Sequence, residues 1–401
     1  MIIGYTLLFN ICFSYYVNGN SITNGNYDTE KNLRVNLFEN YSKYNRPIIN
    51  SSKNIELTYG LEIKSLEFLD QKAENVKFNI WIIQTWKDEY LTWNTSIYNL
   101  SKITCHFNML WTPDLELYNS ASKPKVYDKY GSITVFNDGT ILWIRPTTFS
   151  FACPLDFTKF PFDQQSCTML FGSWKYPKHI LDLKPFNESA LYRNISVDPD
   201  FSHNEWIISE TSVKHEDIEY LCCPDEYYPN SFYTISMKRN YTKYMIVIAL
   251  TLLITISALI ILLIPIQNYI RTYVLVFIPL TIIWLQIYIA AKIPVIEYYT
   301  LMEQIILTCF LFTICGSYES AILYCLLHEN HQILSIILKD NKIKYTDHSI
   351  NLKKEGVLVY KNEINNKNHY KNLENNIVIF DNIFRGCLYL AFVITIFYFL
   401  I

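Results

Sequence analysis

Hydrophobic and polar residues alternate in the first part of the chain, whereas continuous apolar runs fill much of the second part. Residues 30–46 place leucines and aromatic residues at helical spacing, which predicts one N-terminal helix. Asn137-Asp138-Gly139 is a hairpin turn signal between two predicted strands. Stretches rich in β-branched and aromatic residues predict strands at 55–69, 76–86, 133–144 and 232–239. Many short strands joined by turns are typical of a β-sandwich.

Four apolar runs in the second part are candidates for helices that cross a lipid bilayer. The first run, Tyr244–Ile264, carries no charge and would be about 31 Å long as a helix. Glu319 interrupts the third run, and Asp381 and Arg385 precede the short fourth run. Because open sheets cannot cross lipid, the runs predict helices. The predicted spans are about 244–264, 272–291, 304–327 and 380–401.

This pattern predicts three parts along the 401-residue chain. Residues 1–19 are typical of a secretory signal peptide, because a short apolar stretch ends in small residues. Residues 20–241 are predicted to form an extracellular β-sandwich, and 242–401 a transmembrane domain. The segment 328–379 holds eight lysines and six acidic residues, a bias that agrees with a cytoplasmic loop. Its weak apolar periodicity predicts that much of it is disordered.

Composition excludes several classes of function. The net charge is −3, and no basic cluster is interleaved with stacking aromatics, which argues against a nucleic-acid partner. The sequence lacks a glycine-rich phosphate loop, a Gly-x-Ser-x-Gly elbow and metal-ligand spacing, so we expect no enzyme, cofactor or metal site. Seven glycosylation sequons precede the first apolar run and fit an oxidising, lumenal domain. They begin at Asn40, Asn50, Asn94, Asn99, Asn187, Asn194 and Asn240.

Two cysteine pairs carry the most specific signals. A bond between Cys153 and Cys167 would close a loop of about 15 residues, worth roughly 3 kcal/mol. The centre of that loop, Phe160-Pro161-Phe162-Asp163, is apolar and stiffened by proline, which suits docking against an apolar surface. Cys222 and Cys223 are adjacent, and their Cα atoms, about 3.8 Å apart, are closer than in most disulfides. A bond there would form a tight turn; free thiols or metal ligands are the alternatives.

Aromatic residues surround the adjacent cysteines and recur in three other segments. A ring of tryptophan and tyrosine faces attracts a quaternary or protonated amine, at about 0.5–2 kcal/mol per face. The cysteine turn would stiffen a hairpin tip that acts as a lid. Trp81, Trp93 and Trp111 are expected to be core residues. The predicted cage consists of Trp86, Tyr118, Trp174, Tyr220 and Tyr228.

Together these motifs resemble the Cys-loop pentameric ligand-gated ion channel family, specifically nicotinic acetylcholine receptor α-type subunits, from about residue 28 to 401. The resemblance implies an extracellular β-sandwich with an N-terminal helix, a four-helix transmembrane bundle and assembly into a pentamer. It implies a multi-pass plasma-membrane protein, postsynaptic, with its N-terminus outside the cell and lipid around its helices. The implied ligand is acetylcholine or a similar cationic agonist.

The resemblance assigns binding residues on two faces of the subunit. On the principal face it matches Tyr118, Trp174, Tyr220, Cys222, Cys223 and Tyr228. Tyr228 is preferred to Tyr227 because it keeps the family's spacing to Met237. On the complementary face it matches Trp86, Leu142 and Ile144. One chain with both faces permits a homopentamer, although we favour a heteropentamer.

The resemblance also assigns residues to gating and to the pore. Arg239 and the loop residues Phe160, Pro161 and Phe162 match positions that couple binding to gating. The family's spacing puts Tyr273, Phe277, Leu280, Trp284, Ile287 and Ala291 on the pore. Leu280 matches the hydrophobic gate, but aromatic residues replace the small hydroxyl residues of a cation pore. Ile270 and Arg271 stand at the mouth instead of an acidic ring, and Pro279 leaves the lining register open.

These departures leave more than one function open. The chain is either a subunit that gates a cation pore in a heteropentamer, or a non-conducting ligand-binding or auxiliary subunit. The binding pattern fits both, and the aromatic lining favours the second. An anion channel gains from Arg271 and the missing acidic ring, but the adjacent cysteines and Trp86 resemble nicotinic features.

Overall fold

The structure is a computed structural model. It describes residues 27–123, 125–126, 131–186, 194–291, 293, 295–344 and 355–400. The predicted signal peptide 1–19 and the Asn187 sequon lie outside the described residues. Two compact units divide the chain. The sandwich unit comprises Met1–Leu155 and Gln164–Lys238, and the helical unit comprises Asp156–Asp163 and Arg239–Ile401.

The elements follow one another as a helix, a series of strands and four long helices. The helices are α1 (Tyr27–Phe38), α2 (Thr95–Tyr98), α3 (Thr242–Ile261), α4 (Tyr269–Ala290), α5 (Leu301–Lys344) and α6 (Glu355–Leu400). The first six strands are β1 (Ile55–Asp70), β2 (Asn75–Thr92), β3 (Lys102–His106), β4 (Leu115–Leu117), β5 (Lys125–Val126) and β6 (Ser132–Phe136). The others are β7 (Asp138–Ala152), β8 (Gln164–Ser173), β9 (Leu181–Pro185), β10 (Ile195–Val197), β11 (Trp206–Glu219) and β12 (Tyr227–Arg239).

The strands form two sheets that enclose one apolar core. The larger sheet has the order β10-β1-β2-β7-β6-β3, with β9 on β1 and β5 on β7, and the smaller sheet has the order β11-β12-β8-β4. Alternate residues of β2, among them Phe78, Ile80 and Ile82, are fully or almost fully buried, as period-2 side-chain direction requires. The predicted N-terminal helix and β-sandwich are confirmed. The helix ends at Phe38 rather than at residue 46, because the following segment is rich in Asn and Ser, which favour turns.

The Asn137-Asp138-Gly139 turn shows why a glycine is needed between β6 and β7. Gly139 has a φ of 85°, in the region that favours glycine. A Cβ atom at this position would lie 2.4 Å from the backbone oxygen of Asp88. The predicted turn therefore also fixes how closely the hairpin approaches β2.

The Cys153–Cys167 disulfide is present and confirms the predicted loop closure. Cys153 directly follows β7 of the larger sheet and Cys167 lies in β8 of the smaller sheet, so the bond joins the two sheets. Both cysteines are buried, and the backbone N–H of Cys153 donates to the carbonyl of Glu74. Cys105 is a buried free thiol.

Within the part of the helical unit that the structure describes, four helices are long and apolar enough to cross a membrane. This confirms the predicted four-helix set. Helix α4 runs without interruption through Pro279, which lies on its buried side. The structure contradicts the predicted disorder for residues 328–344 and 355–379, because α5 continues to Lys344 and α6 begins at Glu355; residues 345–354 lie outside the described residues. The segment contains no proline, so helices nucleated in the apolar runs extend at little cost.

The charges that interrupt the apolar runs form a buried network between the helices. Arg271 is fully buried; its Nη2 donates to Glu319 at 2.7 Å and to Asp381 at 2.8 Å. Its Nη1 also donates to the carbonyl of Ile264. Arg385 pairs with Asp381 at 3.2 Å. The side chain of Arg271, a position that the resemblance placed at the mouth of the pore, is therefore directed between helices, where two carboxylates pair with it.

We expect Arg271→Met to destabilise the protein by roughly 3–5 kcal/mol, because it leaves buried carboxylates without their cation. Thermal unfolding of the detergent-solubilised chain measures the loss. Lys243→Met, which removes an exposed cation from the first turn of α3, is the control and should change little. Adding Glu319→Gln and Asp381→Asn should restore part of the stability; a single variant as stable as the control contradicts the network's role.

Candidate functional site

Three of the predicted cage residues lie at one end of the smaller sheet. Trp174 directly follows β8, Tyr220 directly follows β11, and Tyr228 is the second residue of β12. The pairing of Asn230 with Gly172 brings the start of β12 beside the end of β8. Tyr118 follows β4 and reaches the same place with its side chain, because its hydroxyl donates to the carbonyl of Ser173 at 2.7 Å.

The four aromatic rings form two edge-to-face pairs. The ring centroids of Tyr118 and Trp174 are 6.1 Å apart, with an interplanar angle of 87°. Those of Tyr220 and Tyr228 are 5.7 Å apart, with an angle of 67°. Edge-to-face contacts of this kind stabilise aromatic pairs and leave ring faces open. The structure therefore brings together all four principal-face rings that the sequence singled out.

Gly172 and Asn230 connect the two pairs, and sequence reasoning had not identified either residue. A Cβ atom on Gly172 would lie 2.4 Å from Asn230 Oδ1 and 2.6 Å from the hydroxyl of Tyr118. Asn230, which is fully buried, donates from Nδ2 to the hydroxyl of Tyr220 at 2.7 Å. The missing side chain at Gly172 thus lets Tyr118 approach the asparagine that holds Tyr220.

Asp114 fixes the turn that carries Trp174. One carboxylate oxygen accepts from the hydroxyl of Ser173 at 2.7 Å, and the other accepts from the backbone N–H of Lys175 at 2.8 Å. The Ser173 hydroxyl oxygen also accepts from the N–H of Tyr176. Trp174 itself is 77% exposed. A rigid turn therefore presents a tryptophan ring whose face is open to a ligand.

The Cys222-Cys223 turn caps the β11–β12 hairpin, but the predicted bond is not formed in the structure. The two sulfur atoms are 3.0 Å apart, and both residues are free thiols. A hydrogen bond from the N–H of Cys223 to the carbonyl of Tyr220 closes the turn instead. The turn brings the sulfurs together without joining them.

The electrostatics of the site suit a cation. Burial, with Tyr220 and Asp114 nearby, raises the pKa of Tyr118 above its ordinary value. Burial and the hydrogen bond to Glu226 raise the pKa of Tyr228. Both phenols are therefore neutral at physiological pH. Neutral ring faces with nearby carboxylates attract a positively charged group and perform no covalent step. Among the described residues, no group of three or more His, Cys, Asp or Glu has a metal-binding arrangement.

Tyr227 was not chosen because Tyr228 keeps the family's spacing to Met237, and its side chain is directed away from the four rings. It is 52% exposed and lines an open cavity with Lys178, His179 and Asp217. Tyr228, by contrast, packs against Tyr220. The two adjacent tyrosines thus point to opposite sides of β12, as successive strand residues do.

The larger sheet presents the predicted complementary residues on its outer face. Ile144 pairs with Ile83, and Leu142 pairs with Thr85, so these residues share one side of the sheet. Ile144 is 36% exposed. Leu142 is half-buried. Both side chains are therefore directed away from the core.

Trp86 does not lie with them. It is only 3% exposed and packs edge-on against Trp111, with ring centroids 6.3 Å apart. One position separates it from Thr85, so it is directed to the opposite, core-facing side of β2. The structure therefore contradicts its assignment to the ligand-facing surface. Trp93 and Trp111 are buried, as we predicted.

Trp81 is the tryptophan that β2 exposes on this outer face, although we expected it in the core. It is 40% exposed. It lies two residues before Ile83 and four before Thr85, so all three share one side of the strand. The signal was available in the sequence: Trp86 has the same parity as the apolar residues Phe78, Ile80 and Ile82, and Trp81 has the opposite parity.

The apolar loop between the disulfide cysteines contacts the start of α3 within the helical unit. Phe160 is fully buried, with its ring centroid 4.8 Å from that of Tyr244. Pro161 is also buried, and the ring of Phe162 lies 5.1 Å from that of Tyr241. The backbone N–H of Leu301 donates to Thr158, so the loop also meets the start of α5.

Arg239 anchors this loop through a buried, two-pronged ion pair. Its Nε donates to Asp163 at 2.7 Å and its Nη2 at 2.9 Å. The guanidinium carbon lies 4.9 Å from the centre of the Phe160 ring. Bidentate arginine–carboxylate pairs fix orientation as well as charge. The loop therefore contacts both Arg239, the last residue of β12, and the start of α3.

The predicted pore residues occupy one exposed stripe of α4. Tyr273, Phe277, Leu280, Trp284 and Ile287 are between 57% and 68% exposed. The opposite side of the helix, with Arg271, Leu275 and Ile282, is buried. Ala291 is exposed and directly follows the helix.

Comparison with known proteins places the sandwich unit in an established family. The neurotransmitter-gated ion-channel ligand binding domain family matches residues 30–241. The human neuronal acetylcholine receptor subunit alpha-2 is 32% identical over 213 residues, covering 53% of this chain and 39% of that protein. The alpha-4 subunits of the ferret Mustela putorius furo and of Gallus gallus are each 33% identical over 211 residues. Those matches cover 52% of this chain and 33% of each relative.

We expect Gly172→Ala to weaken quaternary-ammonium binding by about ten-fold, because the new Cβ atom displaces Tyr118 or Asn230 and one ring face is lost. Displacement of radiolabelled acetylcholine by tetramethylammonium on cells that express the full chain measures the effect. Gly386→Ala is the control, since a Cβ atom there meets no atom within 4 Å. Equal affinities of both variants would show that the close approach at Gly172 does not shape the site.

Proposed function

This chain belongs to the neurotransmitter-gated ion-channel family, in its nicotinic acetylcholine receptor branch, and from that premise we propose that it is a receptor subunit that binds a cationic agonist outside the cell. Acetylcholine or a similar choline ester is the proposed agonist. Members of this family are receptors and not enzymes. The chain covers less than two fifths of each relative named above, so activity, agonist and partners are all part of this proposal.

The observation that carries the proposal is the convergence of four rings from separate segments on one end of the smaller sheet. Tyr118 and Trp174 form one edge-to-face pair, and Tyr220 and Tyr228 form the other. Trp174 is 77% exposed, so it is not a core residue and its ring is accessible to a ligand. A cation placed against these faces gains about 0.5–2 kcal/mol from each.

The agonist would bind between two subunits and be closed in by the Cys222-Cys223 hairpin. This chain supplies the principal side, and an adjacent subunit covers it with the outer face of its own larger sheet. Closure of the hairpin would pull on β12, which ends at Arg239. The Arg239–Asp163 pair and the Phe160 loop would then pass the movement to the start of α3. In this scheme α4 lines the pore, with Leu280 as the gate.

We propose a heteropentamer in the plasma membrane, at a synapse, with the sandwich unit outside the cell. The four apolar helices support a multi-pass arrangement. Other subunits would supply conducting pore residues that this chain lacks.

A second candidate is a non-conducting ligand-binding or auxiliary subunit. The aromatic stripe of α4 supports it, because Tyr273, Phe277 and Trp284 are large and lie on the exposed side of the helix. Five copies around a narrow axis would fill it, and apolar constrictions exclude water and ions. Such a subunit would bind agonist or alter assembly without passing current by itself.

The buried network removes the main support for an anion channel. That interpretation needs Arg271 to face the permeating ions. Arg271 is instead paired with Glu319 and Asp381 between the helices. The two carboxylates therefore compensate the charge of Arg271, and its side chain is not directed toward permeating ions.

We expect Trp174→Ala to weaken acetylcholine binding by about ten-fold, because one cation–π face is removed. Radioligand saturation binding on intact cells measures the change. Tyr227→Ala, which removes an exposed ring that is directed elsewhere, is the matched control and should keep its affinity. Unchanged binding in Trp174→Ala would argue against the proposed agonist site.

We expect little or no current from cells that express this chain alone, because aromatic side chains occupy the proposed pore stripe. Two-electrode voltage clamp with and without candidate partner subunits measures the current. The combined change Tyr273→Thr, Phe277→Ser and Trp284→Val should increase it, whereas Ile260→Val, on the exposed side of α3, should not. Robust acetylcholine currents from the unmodified chain alone would refute the blocked pore.

A further inference from the structure

The exposed ring of Trp81 on the outer face of the larger sheet is already occupied by a cation. The ammonium nitrogen of Lys64 lies 3.9 Å from the centre of this ring. An ammonium group within about 6 Å of a tryptophan face makes a cation–π contact, the same interaction that would hold a cationic agonist. The Lys64 ammonium thus occupies the position over the ring that a ligand's ammonium group would take.

Two carboxylates hold the Lys64 ammonium in place. Glu62, two residues earlier on β1, accepts at 2.7 Å, and Asp198, directly after β10, accepts at 2.8 Å. Burial works against the charge, but the hydrogen bonds to Asp198 and Glu62 raise the pKa of Lys64 above its ordinary value. Glu62 is also the residue that pairs with Trp81 across the sheet. The lysine is therefore fixed over the ring and fully charged.

Trp81 lies near the residues that are predicted to form the complementary face. Trp81 shares the outer side of the larger sheet with Ile83, which pairs with Ile144. Trp81 pairs with Pro146, two residues further along β7 than Ile144. On the outer side of the sheet, the occupied ring is thus two residues in register from the predicted complementary residue Ile144.

We propose that Lys64 is a built-in cation that excludes cationic agonists from the outer face of this chain's larger sheet. The inference rests on the proposed function, since it assumes that an agonist binds between the principal side of one subunit and the outer face of the next. The chain would then supply the principal side only. A partner subunit with an unoccupied aromatic face would complete each binding site, and contacts between copies of this chain would bind agonist weakly.

Lys77 provides a matched comparison on the same two strands. Its ammonium nitrogen pairs with Glu67 on β1 and lies 5.6 Å from the centre of the Phe68 ring. It is thus another lysine above an exposed ring, with a carboxylate partner, but remote from Trp81. A change that only removes a surface charge should behave alike at both lysines.

The test is a double-mutant cycle on the full chain expressed alone, so that every outer face is this chain's own. Binding of radiolabelled acetylcholine is measured for Lys64→Met, Trp81→Ala and the two combined. Lys64→Met keeps an apolar stem and removes the ammonium, and we expect affinity to rise by about ten-fold. Trp81→Ala should change the unmodified chain by less than about two-fold, yet abolish most of the gain in Lys64→Met.

The controls separate charge, expression and the binding site itself. Lys77→Met and Lys64→Arg should both leave the affinity unchanged, the second because it keeps a cation over the ring. Surface labelling normalises each value to the number of chains. An unchanged affinity in Lys64→Met, or a gain that survives Trp81→Ala, overturns the proposal. Trp174→Ala in the same assay isolates the principal side: loss of binding there, without a gain in Lys64→Met, refutes Lys64's role and leaves the proposed function standing.

Discussion

The close approach at Gly172 holds together the four rings of the proposed principal side. A side chain there would collide with both Tyr118 and Asn230. Because β8 lies between β4 and β12, this one position sets the distance between the ring delivered by β4 and the asparagine that holds the ring before β12. The same strand begins just after the loop that Arg239 anchors. Strands β8 and β12 pair along their length, from Asn230 and Gly172 beside the rings to Lys238 and Gln164.

Much of the architecture follows from local patterns in the sequence. Period-2 alternation identified the principal strands, and length and apolarity identified the four helices, because both depend on side-chain direction and burial more than on distant contacts. The disulfide spacing identified Cys153 and Cys167. The four principal-face rings were recognisable because each stands at a strand end, beside a turn or the adjacent cysteines. What the sequence concealed was how Gly172 and Asn230 join the rings.

Other errors arose where the tertiary environment decides the role of a residue. Trp86 and Trp81 differ only in strand parity, and counting parity from the buried residues would have separated them. The resemblance placed Arg271 at the mouth of the pore, but a matched position does not show what a side chain contacts. Only packing shows that Glu319 and Asp381 pair with it. Composition suggested disorder for 328–379, although helices already begun in apolar runs extend through the polar residues 328–344 and 355–379.

The buried network has a consequence for how the chain enters the membrane during synthesis. Its charges divide by order of appearance into two neutral pairs. Arg271 and Glu319 belong to the second and third helices that emerge, and Asp381 and Arg385 are four residues apart on the last. Within each pair the opposite charges can compensate each other before the bundle is complete, which lowers the free-energy cost of placing ions in hydrocarbon.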